Sequence, residues 1–393
     1  MKLDNGVEIS IDKVESRVVA IAVGVGVGSI YEEPSQRGIS HLLEHMMFKS
    51  NKWIRGEDLD MMIEGLGGMA NAFTGRDYTI YVFEALQESA PQLIDIACRM
   101  MINDTYQLDE FMNERNIVLS EIELRDENPS SRIWDLGILS LFGKSDMGDP
   151  VTGYHETVEA ITLQDMIEYK LRNYIGGNIK IALVGAVNND VIKAATDCFS
   201  KIAPGKPVLK TPSLGSPSDL SIKSNGDGAY VSFSISMPNG DPVDTYLRLA
   251  LIEFQLSDGA SSLLFRNLRN KGLAYSFDVD WELFPGIAYL QTVVEAIEPE
   301  KLDLVMNQLQ YVILNLQDLV NKEYLNQRRK YLEYVSASSL RNIFDRAYAN
   351  SYFMIKGLPF DMPSYVEALV PAYWGLDKYM VKPLWKSMAV ITP

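Results

Sequence analysis

Histidine and cysteine are scarce in this chain of 393 residues: three of the first and two of the second. Cys98 and Cys198 stand far apart and in no CxxC spacing, so neither a disulfide framework nor a cysteine zinc site is suggested, and both are expected in the core. Basic residues are also in deficit, 36 against 52 acidic, for a formal net charge of −16. A phosphate backbone demands clustered Lys and Arg, which argues against general nucleic-acid binding. No apolar run is long enough to span a bilayer, since the most apolar early stretch, Val18 to Ile30, is broken by three glycines. The N-terminus, Met1-Lys2-Leu3-Asp4-Asn5-Gly6, turns polar at once and lacks the apolar segment of a secretion signal. A cytoplasmic protein without a membrane partner is the expectation.

What is present is enough hydrophobic material, 47% of residues, to bury a large core, and a length that favours two domains. Residues 7–30 read as two strands, followed by a helix with Ser35 as its cap and Ile39, Leu42, Leu43 and Met46 at helical spacing. Strands at 69–85, helices near 88–102, 107–125 and 163–174, and a strand at 179–185 complete a first half. Turn formers from Ala203 to Pro217 mark a linker at 206–217 between an N-terminal domain, 1–205, and a C-terminal one, 218–393. The second half repeats the order: strand 229–236, helix 243–256, a strand pair near 273–295, helices 299–317 and 322–334, then a helix around Tyr365 to Leu369 and a terminal strand. The expected fold class is α+β, with two similar tandem domains, each a mixed, mainly antiparallel sheet with helices packed on one face.

Two of the three histidines fall in His41-Leu42-Leu43-Glu44-His45. On a helix each residue advances by ~100°, so His41, Glu44 and His45 share one face while Ile39, Leu42, Leu43, Met46 and Met47 pack on the other. Two imidazoles at i and i+4 can occupy adjacent vertices of a tetrahedron, and a catalytic zinc needs a third protein ligand with one position left open. The acidic helix from Asn113 to Glu123 is the best source, since Glu114 and Glu121 lie on one face of it, with Ile117, Val118, Leu119 and Ile122 for packing.

The inverted motif HxxEH with Glu121 seventy-six residues after His45 resembles the pitrilysin/insulinase family of zinc metallopeptidases, which includes mitochondrial processing peptidase. The resemblance implies His41, His45 and Glu121 as ligands of one zinc, Glu44 as general base and Glu114 as the supporting acidic residue. Gly67 to Thr74 resembles the family's substrate-binding edge strand, which implies that Asn71, Ala72, Phe73 and Thr74 hold an extended peptide by main-chain pairing. Residues 261–276 resemble the segment carrying the family's substrate-holding Arg and Tyr, here Arg269 and Tyr275. Those two are six apart where the family usually has a longer loop, so Arg266 and Lys271 stand as alternatives to Arg269. A two-domain chain resembles the members that pair, as a homodimer or with a related subunit. The implied activity is endopeptidase cleavage of extended or unfolded peptides; the alternatives are a non-catalytic peptide-binding scaffold, or a catalytic subunit that needs a partner. Manganese or cobalt are the alternatives to zinc.

Other candidates read as structure. His155 stands alone and is expected at a loop or helix start. Met46, Met47, Met61, Met62, Met100 and Met101 are expected to pack in the core.

Overall fold

The computed structural model describes residues 1–207 and 209–393. The first half runs β1 (Glu8–Lys13), β2 (Val18–Val25), α1 (Ile39–Met47), α2 (Gly56–Gly65), β3 (Met69–Thr74) and β4 (Thr79–Leu86). It continues through α3 (Ala90–Ile102), α4 (Leu108–Glu127), α5 (Pro129–Phe142), α6 (His155–Ala160), α7 (Leu163–Asn173), β5 (Ile179–Gly185) and α8 (Asn189–Phe199). The second half holds β6 (Leu220–Lys223), β7 (Ala229–Asn239), α9 (Pro242–Leu256), β8 (Ser276–Phe284) and β9 (Gly286–Ile297). After these come α10 (Leu302–Leu314), α11 (Leu316–Leu319), α12 (Lys322–Ser339), α13 (Ile343–Ile355), α14 (Met362–Ala372) and β10 (Trp385–Thr392).

These strands make two five-stranded sheets, ordered β1-β5-β2-β4-β3 and β6-β10-β7-β9-β8. Moving every strand of the first order five places along the chain reproduces the second. In each sheet the first and last strands of the half pair in parallel and all other neighbours are antiparallel. The duplication expected from element order is therefore present at the level of topology, and the α+β class with it.

The chain divides into two compact units, and neither is continuous. One is Met1–Glu123 with Pro150–Lys210 and Ser338–Pro363; the other is Leu124–Asp149 with Thr211–Ala337 and Ser364–Pro393. By contacts, these units differ from the continuous domains 1–205 and 218–393 in the placement of Leu124–Asp149 and Ser338–Pro363. The change at Lys210/Thr211 does fall within the 206–217 segment, which holds no helix or strand among its described residues; Val208 lies outside them. Each unit takes one helix from the other half of the chain, because a central strand buried on both faces needs apolar cover on both.

In the first unit, Val19, Ile21, Val23 and Val25 of β2 face the large core shared with α1, α3, α7 and α8. The alternate residues Ala20 and Ala22, with Ile80, Val82, Ala182 and Val184, face Ile343 and Ala347 of α13. Asp12 of β1 clamps that helix, accepting from Arg346 Nε at 2.5 Å and Nη2 at 2.6 Å. In the second unit Ile133 and Leu136 of α5 cover Val293, Ala389 and Ile391 in the same manner. A glycine marks each crossing: a Cβ on Gly24 would strike Ser351 Oγ of α13, and one on Gly137 would strike Ser232 Oγ.

Cys98 of α3 and Cys198 of α8 are core residues as expected, but they form a disulfide, which corrects the reading of them as unpaired. Their separation of 100 residues hid the pairing, which is set by the packing of two helices on one face of the sheet. Met46, Met47, Met100 and Met101 are buried, whereas Met61 and Met62 are exposed, since α2 buries only Leu59 and Ile63. Among the described residues no helix is long and apolar enough to cross a membrane.

Candidate metal centre

The helix that bears the histidines is held at its start by a residue the sequence did not single out. Ser35 lies in a 3-10 turn, Pro34–Gln36, and does not cap α1. Gly38 precedes the helix with φ 98°, a left-handed conformation, and a Cβ there would come 2.6 Å from the carbonyl of Thr152. The free amides at this helix start are taken by Glu32, whose Oε2 accepts from Gly38 N and Oε1 from Ser40 N, both at 2.8 Å. Burial pushes the Glu32 carboxyl up to about 7, against the pull of those amides. Ser40 Oγ meets Tyr169 OH of α7 at 2.8 Å, fixing the rotation of α1 about its axis.

Ile39, Leu42, Leu43, Met46 and Met47 are all buried, which leaves the opposite side of α1 to His41, Glu44 and His45. Facing it is α4, whose buried stripe is Phe111, Glu114, Val118 and Ile122. Ile117, expected to pack, is exposed. Glu114 thus occupies a core position on a helix that is otherwise polar, and Glu121 stands two turns further along the same face.

Nε2 of His41 lies 3.9 Å and Nε2 of His45 3.6 Å from Oε2 of Glu121. One ligand atom from each of the three residues can be chosen so that all lie within 4.8 Å of one another. Tetrahedral zinc at about 2.0–2.1 Å from each donor sets neighbouring donors ~3.3 Å apart, so a small contraction closes the set around the ion. The residues fit the metal, and the donor set of two imidazoles and one carboxylate is that of a catalytic site.

Behind the ligands, Oε2 of Glu114 lies 3.4 Å from Nδ1 of His45, and its Oε1 pairs with Lys49 Nζ at 2.7 Å. A carboxylate at Nδ1 favours the tautomer that leaves Nε2 free to act as a donor to an ion beside Glu121. The part of Lys49 is visible only once α1 and α4 are packed together.

Glu44 accepts a hydrogen bond from Thr74 Oγ1 at 2.5 Å. Burial raises its carboxyl above the ordinary range; Thr74 opposes this through hydroxyl and amide, His45 also lowers it, and the Glu121 charge adds to the rise. Thr74 ends β3, the edge strand of its sheet. Along β3, Met69, Asn71 and Phe73 are exposed while Ala70, Ala72 and Thr74 are half-buried. Ala70 and Ala72 pack against the core that contains α1. Asn71, Ala72, Phe73 and Thr74 therefore lie together along one open strand edge.

In the second unit, the Arg269 guanidinium sits 4.3 Å above the ring of Tyr275, and Tyr275 is exposed. Despite the short loop, the two residues stand together. Lys271 instead bonds Asn267 Oδ1, and Arg266 lies over Tyr324. His155 is the first residue of α6, 3.7 Å from Glu123 and outside the ligand group.

Residues 8–141 match the family described as Insulinase (Peptidase family M16), and residues 160–332 match Peptidase M16 inactive domain. An uncharacterised zinc protease of Mycobacterium tuberculosis is 30% identical over 295 residues, 73% of this chain and 67% of that protein. An uncharacterised zinc protease of Bacillus subtilis is 30% identical over 276 residues, 69% of this chain and 67% of that protein. Among solved structures, a protease from Helicobacter pylori superposes with a TM-score of 0.91 at 19% identity, covering 100% of this chain and 98% of that one. The periplasmic protease PqqL of Escherichia coli superposes with a TM-score of 0.76 at 16% identity, over 100% of this chain but 47% of its own.

Proposed function

The chain belongs to the insulinase family of peptidases (peptidase family M16), and on that premise we propose that it is a zinc-dependent endopeptidase acting on extended or unfolded peptides. One observation carries this reading: donor atoms of His41, His45 and Glu121 converge within 4.8 Å, with Glu44 between the histidines in sequence and turned to the same side. A protein freed from catalysis has no physical need to keep two imidazoles and a carboxylate converging on one point.

His41, His45 and Glu121 are the residues that would hold zinc. Bound there, zinc supplies Lewis acidity, drawing the pKa of a water towards neutrality and polarising a peptide carbonyl. Glu44 takes a proton from that water and passes it to the leaving amine. Glu114 acts through His45, as a positioning residue.

A peptide is held by strand addition to β3, where Asn71, Ala72, Phe73 and Thr74 offer main-chain donors and acceptors whatever the peptide's sequence. Arg269 and Tyr275 are the second unit's proposed contribution to substrate binding. A second two-domain chain, a copy or a related subunit, is the proposed partner; the chain spans 47% of PqqL.

The test is hydrolysis of a mixed library of quenched, unstructured peptides by the purified protein, before and after chelation and on return of zinc. Cleavage lost with the metal and restored by it supports the reading. Stoichiometric zinc without cleavage, alone or with a related subunit added, points to a peptide-binding scaffold.

A further inference from the structure

The proposed base and the proposed recognition strand meet in one side chain. Thr74 is the last residue of edge strand β3, and its Oγ1 donates to Glu44 Oε2 at 2.5 Å. A second donor from the same residue, the Thr74 amide, also bears on that carboxylate. Threonine is branched at Cβ, so its hydroxyl direction follows closely from the strand backbone. Among the described residues, Thr74 is the side-chain hydrogen-bond donor to Glu44, while burial and the charges of His45 and Glu121 also act on the carboxyl. The carboxylate of an unrestrained glutamate turns freely about its last bond, and a turned carboxylate presents the wrong oxygen to a water.

We propose that Thr74 is a positioning residue, which aims the Glu44 carboxylate from the edge strand and so ties the orientation of the base to the order of the strand that receives the peptide. This rests on the peptidase reading above and deepens it. A peptide pairing with β3 extends the sheet by one strand and damps the motion of the old edge. Thr74, carried on that edge, transmits the order to Glu44. No proton moves through Thr74: its hydroxyl hydrogen stays on Oγ1, and the water's proton goes to the other carboxylate oxygen.

The experiment compares wild type, Thr74→Val and Thr74→Ser for kcat, KM and zinc affinity. Valine keeps the branched shape and removes the donor; serine keeps the donor. With the donor gone, kcat is expected to fall by ~10–100-fold, a part of what a positioned general base contributes, with KM little changed. Serine is expected to restore most of it. Zinc affinity, read by chelator competition, is expected to stay within ~3-fold of wild type in both variants, because Thr74 touches no ligand, whereas losing a ligand's orienting partner costs 10–100-fold. Full kcat in Thr74→Val, or a rise in KM alone, overturns the role of Thr74 and leaves the peptidase reading standing. So does equal loss in valine and serine variants, or weakened zinc binding, either of which marks a merely structural residue. A wild type that loads zinc and cleaves nothing, alone or with a related subunit added, overturns the parent reading, and this role with it.

Discussion

Oε2 of Glu114 lies 3.4 Å from Nδ1 of His45, on the side of the imidazole away from Glu121. The carboxylate is buried in the stripe by which α4 packs and is countered by Lys49. Removing it leaves the ring free to turn and to change tautomer. Glu114→Gln is expected to weaken zinc binding by ~10–100-fold while the fold persists. Chelator competition with circular dichroism checks it, and unchanged affinity would show that packing alone orients His45.

Glu32 sets a dependence of stability on pH. Burial raises its carboxyl from 4.5 to about 7. Between those values the native state binds more protons than the unfolded one, so the contribution of Glu32 falls as pH rises through that window and is level outside it. Glu32→Gln loses this slope. Relative to wild type, the variant is expected to gain stability on the order of 1–3 kcal/mol between pH 5 and pH 8. Urea unfolding of the metal-free proteins at the two pH values measures the difference; a constant difference would mean that Glu32 titrates as an ordinary carboxyl.

Gly24 on β2 is the point where α13 crosses the first sheet, and a Cβ there would meet Ser351 Oγ and, at 2.7 Å, Ile355 Cδ1. Gly24→Ala is expected to cost about 1–3 kcal/mol by overpacking. Pairing it with Ser351→Gly should recover part of the loss, since the nearest obstacle is that hydroxyl. Denaturant melts of the single and double variants check the coupling; additive losses would place the strain elsewhere.

The disulfide joins α3 to α8 and closes 100 residues of chain. Its removal, as Cys98→Ala with Cys198→Ala, is expected to destabilise by about 2–4 kcal/mol through the unfolded state. Neither cysteine touches the metal centre, so zinc affinity should not change. Calorimetric melting and chelator competition on the double variant give both readings, and an unchanged melting temperature would mean that the thiols are not paired in solution.

The candidate metal centre was legible because its residues are local in period if not in sequence. His41, Glu44 and His45 share a helix face whatever surrounds them, and Glu114 and Glu121 share another. The supports were not, since each needs two elements brought together: Glu32 caps α1 from a loop six and eight residues upstream of the amides it accepts from, beyond the reach of an ordinary N-cap. Thr74 reads as part of a peptide-holding strand, and its bond to Glu44 is seen only when β3 is laid beside α1. The two exchanged helices escaped for related reasons. In α5 most positions from Ile133 to Phe142 are buried, which leaves little amphipathic period to detect. In α13 the buried stripe includes Arg346, Asn350 and Ser351, which read as a polar face until Asp12 and Gly24 are seen against them. The repeat of element order was legible because strands and helices recur at nearly the same intervals in each half.

The most direct measurement is peptide cleavage by wild type and Glu44→Gln, with zinc quantified in both. Glutamine keeps the shape and the Thr74 contact but cannot take the proton. Stoichiometric zinc in both samples with cleavage by wild type alone is the expected result. Cleavage by Glu44→Gln at the wild-type rate, or wild-type protein without zinc at His41, His45 and Glu121, would contradict the assignment of the base and its metal.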